Sequence, residues 1–154
     1  MDSRTLLLRR HVFCWADLAT IDDVRAADFH RRLFSWSTRA RLAGRGHFTT
    51  LEADDLPFAS IYRLAARQLA AGVPSHWLPY VATPDLGRTL TLAVELGADV
   101  VVAPQAVAGF ARIAVIVDPT GAPLGLWQAV RPGGWTAPPV SGDDSGRHLA
   151  GDDR

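Results

Sequence analysis

The chain has no lysine: all sixteen residues of its Lys/Arg class are arginine. Schiff-base chemistry and a lysine general base are thereby excluded. It has one cysteine, Cys14, so no intrachain disulfide can form, and its apolar surroundings fit a buried, inert thiol in a reducing compartment. It has no excess charge of either sign, with sixteen arginines against sixteen acidic residues, which leaves no broad field to draw in nucleic acid or an anionic membrane. Nowhere do about 18 apolar residues run uninterrupted. The one apolar run before Arg9-Arg10 is Leu6-Leu7-Leu8, too short for a signal-peptide core, and Asp17 interrupts the apolar stretch after the twin arginines. The expectation is a cytoplasmic protein with neither a membrane nor a nucleic-acid partner.

What is present is enough apolar material for a core: 48% of 154 residues. Residues 12–19 are rich in strand formers and run into Thr20-Ile21-Asp22-Asp23, a helix N-cap signal. From Asp22 to Phe34, Ala26, Phe29 and Leu33 recur at helical spacing, with Arg25, Asp28, Arg31 and Arg32 on the other side. The pattern then recurs. Residues 76–82 read as a strand, Thr83-Pro84-Asp85 opens a second helix running to Leu96, and Gly97 stops it. Ala19-Thr20-Ile21-Asp22 and Ala82-Thr83-Pro84-Asp85 agree in three of four positions at an offset of 63 (85 minus 22), and Phe29 and Leu33 fall on Leu92 and Leu96. These matches mark an internal repeat.

Short strands come after each helix, at about 37–42, 47–51 and 57–62 in the first unit and 99–103, 110–117 and 123–128 in the second, with Asp118-Pro119-Thr120-Gly121 as a hairpin turn. Residues 1–130 form one expected domain, with units at about 11–63 and 76–130. Residues 64–75 are a linker with a short helical pattern, and 131–154, rich in Gly, Asp and Pro, read as a disordered tail.

Two tandem strand-helix-three-strand units with Asp-opened helices, ending on Gly125-Leu126-Trp127-Gln128, resemble the vicinal-oxygen-chelate superfamily, the glyoxalase, bleomycin-resistance and dioxygenase type. The resemblance covers roughly residues 11–130 and implies an α+β fold. Two tandem βαβββ modules would form one curved, eight-stranded mixed sheet, a cup with its helices outside. Members of the nearest branch often carry two such domains, and metal-using members place His or Glu at one inward position on the first and last strand of each unit. Counting back seven residues from the helix-opening aspartates gives Trp15 and Leu78, and aligning the last strands on Pro57 and Pro123 gives Ala59 and Gly125. None of these side chains ligates a divalent ion. The resemblance therefore implies neither a metal nor another cofactor, and no metal-dependent glyoxalase or extradiol-dioxygenase chemistry.

If Trp15 faces the cup, alternation sends Phe13 and Asp17 the same way, with His76, Leu78 and Tyr80 from the fifth strand and Gly125 and Trp127 from the eighth. This lining suits an aromatic or polyketide-like small molecule. Phe13, Trp15, Tyr80 and Trp127 either stack such a ligand or fill core; Gly125 either leaves it room or marks a close strand crossing. Asp17 reads as an acid/base group or as a rim carboxylate paired with an arginine, and Arg112 as its partner or as an anchor for a ligand anion. His76 reads as a proton shuttle at the cup mouth or as an exposed histidine. The functions left open are a metal-free proton-transfer, cyclisation or isomerisation enzyme of secondary metabolism, a sequestering protein of the bleomycin-resistance kind, and an accessory protein to a partner enzyme. Both a monomer and a homodimer fit.

Overall fold

The computed structural model describes residues 11–43, 46–107, 109 and 111–130; the expected tail lies outside them. The predicted order of elements is the observed one. The first unit is β1 (Phe13–Thr20), α1 (Asp23–Phe34), β2 (Ser37–Ala43), β3 (Gly46–Ala53) and β4 (Leu56–Arg63). A short α2 (Ala66–Ala70) leads to the second: β5 (His76–Ala82), α3 (Leu86–Glu95), β6 (Asp99–Val107), β7 (Ala111–Val117) and β8 (Pro123–Ala129). One eight-stranded sheet runs in the order β2-β3-β4-β1-β5-β8-β7-β6. β1 lies parallel to β4 and β5 parallel to β8, while β1 and β5 meet antiparallel at the centre. The cup fold implied by the resemblance is the fold observed. Among the described residues no helix is long and apolar enough to cross a membrane.

The repeated letters form the same junction twice. Asp22 Oδ1 accepts the Arg25 amide at 2.9 Å, Asp85 Oδ1 accepts the Arg88 amide at 2.9 Å, and both caps sit in extended backbone. Thr20 and Thr83 each accept the amide of their aspartate through Oγ1, so the threonine fixes the turn that the aspartate caps. The predicted hairpin turn is held by Asp118 Oδ1, which accepts the amides of Thr120 and Ala122 at 2.8 and 3.0 Å, with Gly121 at φ 93°.

Three apolar clusters result from the alternation. Trp15, Leu78, Tyr80, Ala82, Ile113, Val115 and Trp127 lie on the concave face. Leu18, Leu51, Ala59 and Ile61 pack beneath α1, and Leu86, Leu90, Ala114, Ile116 and Leu126 form the α3 cluster. Only part of the expected helical stripe packs: Ala26 does, whereas Phe29 and Leu33 do not. Phe29 and Leu33 are 58% and 56% exposed, and their repeat equivalents Leu92 and Leu96 are exposed too. The small Ala26 and Ala27 are what α1 lays on the sheet.

Candidate functional site

The concave face holds a cavity of about 400 Å³, within the range of small-molecule pockets. β1 contributes Trp15 and Asp17, β4 Ser60 and Tyr62, β5 Leu78 and Tyr80, β8 Trp127, and β6 and β7 the aliphatic far wall of Val102, Val107, Ile113 and Val115. The Trp15 and Trp127 rings stack on each other, centroids 5.1 Å apart, and Tyr80 meets Trp127 edge-on at 6.0 Å. Both indoles are buried, so they build the aromatic floor and present only part of their surface to the cavity.

Asp17 is the one carboxylate in this lining, which also includes His47, Arg63 and Gln105. Its Oδ1 accepts the Trp15 Nε1–H at 2.9 Å and the Ser60 hydroxyl at a short distance, while the Tyr80 hydroxyl acts on the same carboxyl. Burial raises the Asp17 pKa from its ordinary 3.8, and the hydrogen bonds from Ser60, Tyr80 and Trp15 pull it back only in part. Tyr80 and Tyr62 are both raised, first by burial and then by the negative charge of Asp17 beside them. The Cys14 thiol is pushed up to about 12 by burial, which leaves it unreactive near neutrality.

The strand registers explain this convergence. Asp17 pairs with Ser60 across β1 and β4, and Tyr80 pairs with Gly125 across β5 and β8. Asp17 and Tyr80 occupy equivalent positions at the repeat offset of 63 (80 minus 17), and Ser60 and Gly125 are equivalent as their register partners. These four face the cup on the first and last strand of each unit; of the ligand positions that the resemblance implies, Trp15, Leu78, Ala59 and Gly125, they share only Gly125. Here they offer one carboxylate, two hydroxyls and a bare glycine, a donor set that does not suit a divalent cation. Among the described residues no three His, Cys, Asp or Glu side chains group together as a metal site would need. Gly125 has a different use. A Cβ there would overlap the Tyr80 ring, so the glycine makes room for the tyrosine and not for a ligand.

Of the expected site residues, Asp17, Trp15, Tyr80, Gly125 and Trp127 come together; Phe13, His76 and Arg112 do not reach the cavity. Phe13 is 71% exposed, because a bulge at Cys14 breaks the alternation: Phe13 pairs with Val81 but Trp15 with Tyr80. His76 turns back to the Pro74 carbonyl at 2.8 Å. Arg112 is exposed on the convex face, since its neighbours Ile113 and Val115 take the concave one. Ala59 also faces the helix layer. The prolines used to align β4 with β8 are 66 residues apart (123 minus 57) but the strands are offset by 65 (125 minus 60), a slip of one that hid Ser60 and Tyr62. A parallel register between β1 and β4, read outward from Asp17, would have found both.

No family model matches the sequence. The chain is 35% identical over 128 residues to the anthracycline biosynthesis protein DauV of a Streptomyces strain, covering 74% of this chain and 46% of that protein. It is 31% identical over 119 residues to CFP32 of Mycobacterium bovis, named as a glyoxylase, covering 76% and 45%. The chain thus spans about half the length of the curated relatives it matches. The methylmalonyl-CoA epimerase of Mycobacterium tuberculosis superposes with a TM-score of 0.60 at 13% identity, covering 77% of this chain and 88% of that one, which is a likeness of fold. From the repeated unit, the strand order and these relatives together, the chain belongs to the vicinal-oxygen-chelate superfamily.

Proposed function

We propose that the cup binds a flat aromatic or polyketide-like metabolite without a metal and that Asp17 moves a proton on it, in an isomerisation or cyclisation step of secondary metabolism. The observation that carries this reading is a single carboxylate held by Trp15 and Ser60 on the wall of an apolar, aromatic cavity. Such a group has lost bulk water and keeps a fixed direction, the two conditions under which a carboxyl becomes a useful acid or base near neutral pH. The similarity to an anthracycline biosynthesis protein supports a polycyclic aromatic ligand.

Sequestration of such a molecule is the second reading, favoured by the absence of His76 and Arg112 from the cavity lining. An accessory role would be marked by a filled cup, and the cavity volume speaks against it.

The test is tryptophan fluorescence of chelator-treated protein titrated with polycyclic aromatic hydroxyketones, followed by mass spectrometry. Quenching with a new product mass supports the enzyme, and Asp17→Asn should then lower turnover by roughly a hundredfold or more while binding changes little. Quenching with unchanged mass turns the proposal into sequestration. No quenching across the panel would refute a ligand-binding cup of this kind.

A further inference from the structure

Tyr62 is the cavity residue that the Asp17 cluster leaves unused. It lies two positions beyond Ser60 on β4, so it faces the same side of the sheet, and it lines the cavity half-buried. Its hydroxyl makes no hydrogen bond to any described residue, whereas those of Ser60 and Tyr80 are engaged with Asp17. Asp17 in turn spends only part of its capacity on the protein. Trp15 and Ser60 both land on Oδ1 and Tyr80 acts on the group as well, while a carboxylate has roughly four acceptor positions. The wall therefore presents a free donor and a free acceptor side by side, above an aromatic floor.

We infer that Tyr62 and Asp17 form a two-point clamp for a planar aromatic ligand carrying a ring carbonyl next to a hydroxyl, with the Tyr62 hydroxyl donating to the carbonyl and Asp17 accepting from the hydroxyl. The inference rests on the proposed aromatic cup and narrows it to one pattern of oxygens. An aromatic ring without them would fill the same space and leave the Tyr62 hydroxyl without a partner, which is costly in an apolar pocket. Tyr62 is thus a ligand-binding residue that sets specificity.

The experiment compares four probes by calorimetry and tryptophan quenching: a hydroxyanthraquinone with its hydroxyl beside the ring carbonyl, its isomer with the hydroxyl remote from it, the parent anthraquinone, and anthracene. The wild-type protein should prefer the first over its isomer. Tyr62→Phe should weaken both hydroxyanthraquinones and anthraquinone by roughly three- to tenfold and leave anthracene unchanged. Equal affinity for the two isomers, or a Tyr62→Phe loss that is the same for anthracene, would overturn the clamp while leaving the aromatic cup standing. If the wild-type protein binds none of the four, the cup reading falls and the clamp with it. The isomer comparison uses the wild-type chain alone, so it decides the matter even where Tyr62→Phe fails to fold.

Discussion

Gly125 separates two readings that alternation alone leaves open. The strand period puts it on the concave face, but whether the missing side chain serves a ligand or a neighbour depends on what lies opposite, and that is the Tyr80 ring. Gly125→Ala should destabilise the fold by about 1–3 kcal/mol through overpacking, read from urea denaturation, and the loss should shrink when Tyr80→Ala is added. Asp17 makes a prediction in pH. Its folded pKa lies above the 3.8 of the unfolded chain, so the folded state holds its proton more tightly, and this contribution to stability is full below 3.8 and is lost as pH rises through the raised value. Asp17→Asn removes that dependence, so the difference in unfolding free energy between wild type and variant should move in the variant's favour across this window. Asp17 was legible in the sequence because parity from Trp15 reaches it in two steps. Phe13 was not, although it is equally near, because the bulge at Cys14 lies between.

At the scale of elements, the two helix starts were the clearest text in the sequence, since an N-cap is a local interaction that short-range letters can encode. Replacing Asp85 by alanine should cost about 1 kcal/mol, and Asp22 the same, because the two caps share their geometry; thermal unfolding monitored by circular dichroism measures both. The side of α1 that packs was less legible. A 3.6-residue period marks an apolar face but does not say that Ala26 and Ala27 will touch the sheet while Phe29 and Leu33 stay outside. Phe29 instead meets the His30 ring edge-on, and His30 is stacked on Trp36 and edge-on to Trp77. The pairing of β2 with β3 carries an ion cluster that the sequence did not announce. Glu52, 3% exposed, is 3.3 Å from both Arg39 and Arg41 and accepts from Thr50 at 3.0 Å. Glu52→Ala takes the buried carboxylate away from two guanidiniums and Thr50 at once and should cost more than removing the half-exposed Arg39, which should cost under about 1 kcal/mol. Equal costs in denaturant unfolding would show that Arg41 is hydrated and not held by Glu52.

Across the whole molecule, the repeat was readable because three of four letters recur at one kind of junction, and the sheet order is set once each unit closes on a parallel pair of its first and last strands. The contents of the cup's centre were harder, since they depend on a register that one misaligned proline shifts. With the register known, Asp17, Ser60, Tyr80 and Gly125 meet at the cup's centre, where the Tyr80 hydroxyl on Asp17 links the two units and the Tyr80 ring sits on Gly125. This arrangement predicts how the molecule answers to metals. A cation that bound only the folded state at a hundred times its dissociation constant would add about 2.7 kcal/mol of stability. For a chain of this size that is a rise of roughly five to ten degrees in the unfolding midpoint. The expected result is no rise with millimolar manganese, nickel or zinc and no fall with a chelator, measured by scanning calorimetry, while a hydroxyanthraquinone raises the midpoint. A metal-dependent rise that Asp17→Asn abolishes would mean that Asp17, Ser60 and Tyr80 rearrange around an ion, and the metal-free reading of the cup would then be wrong.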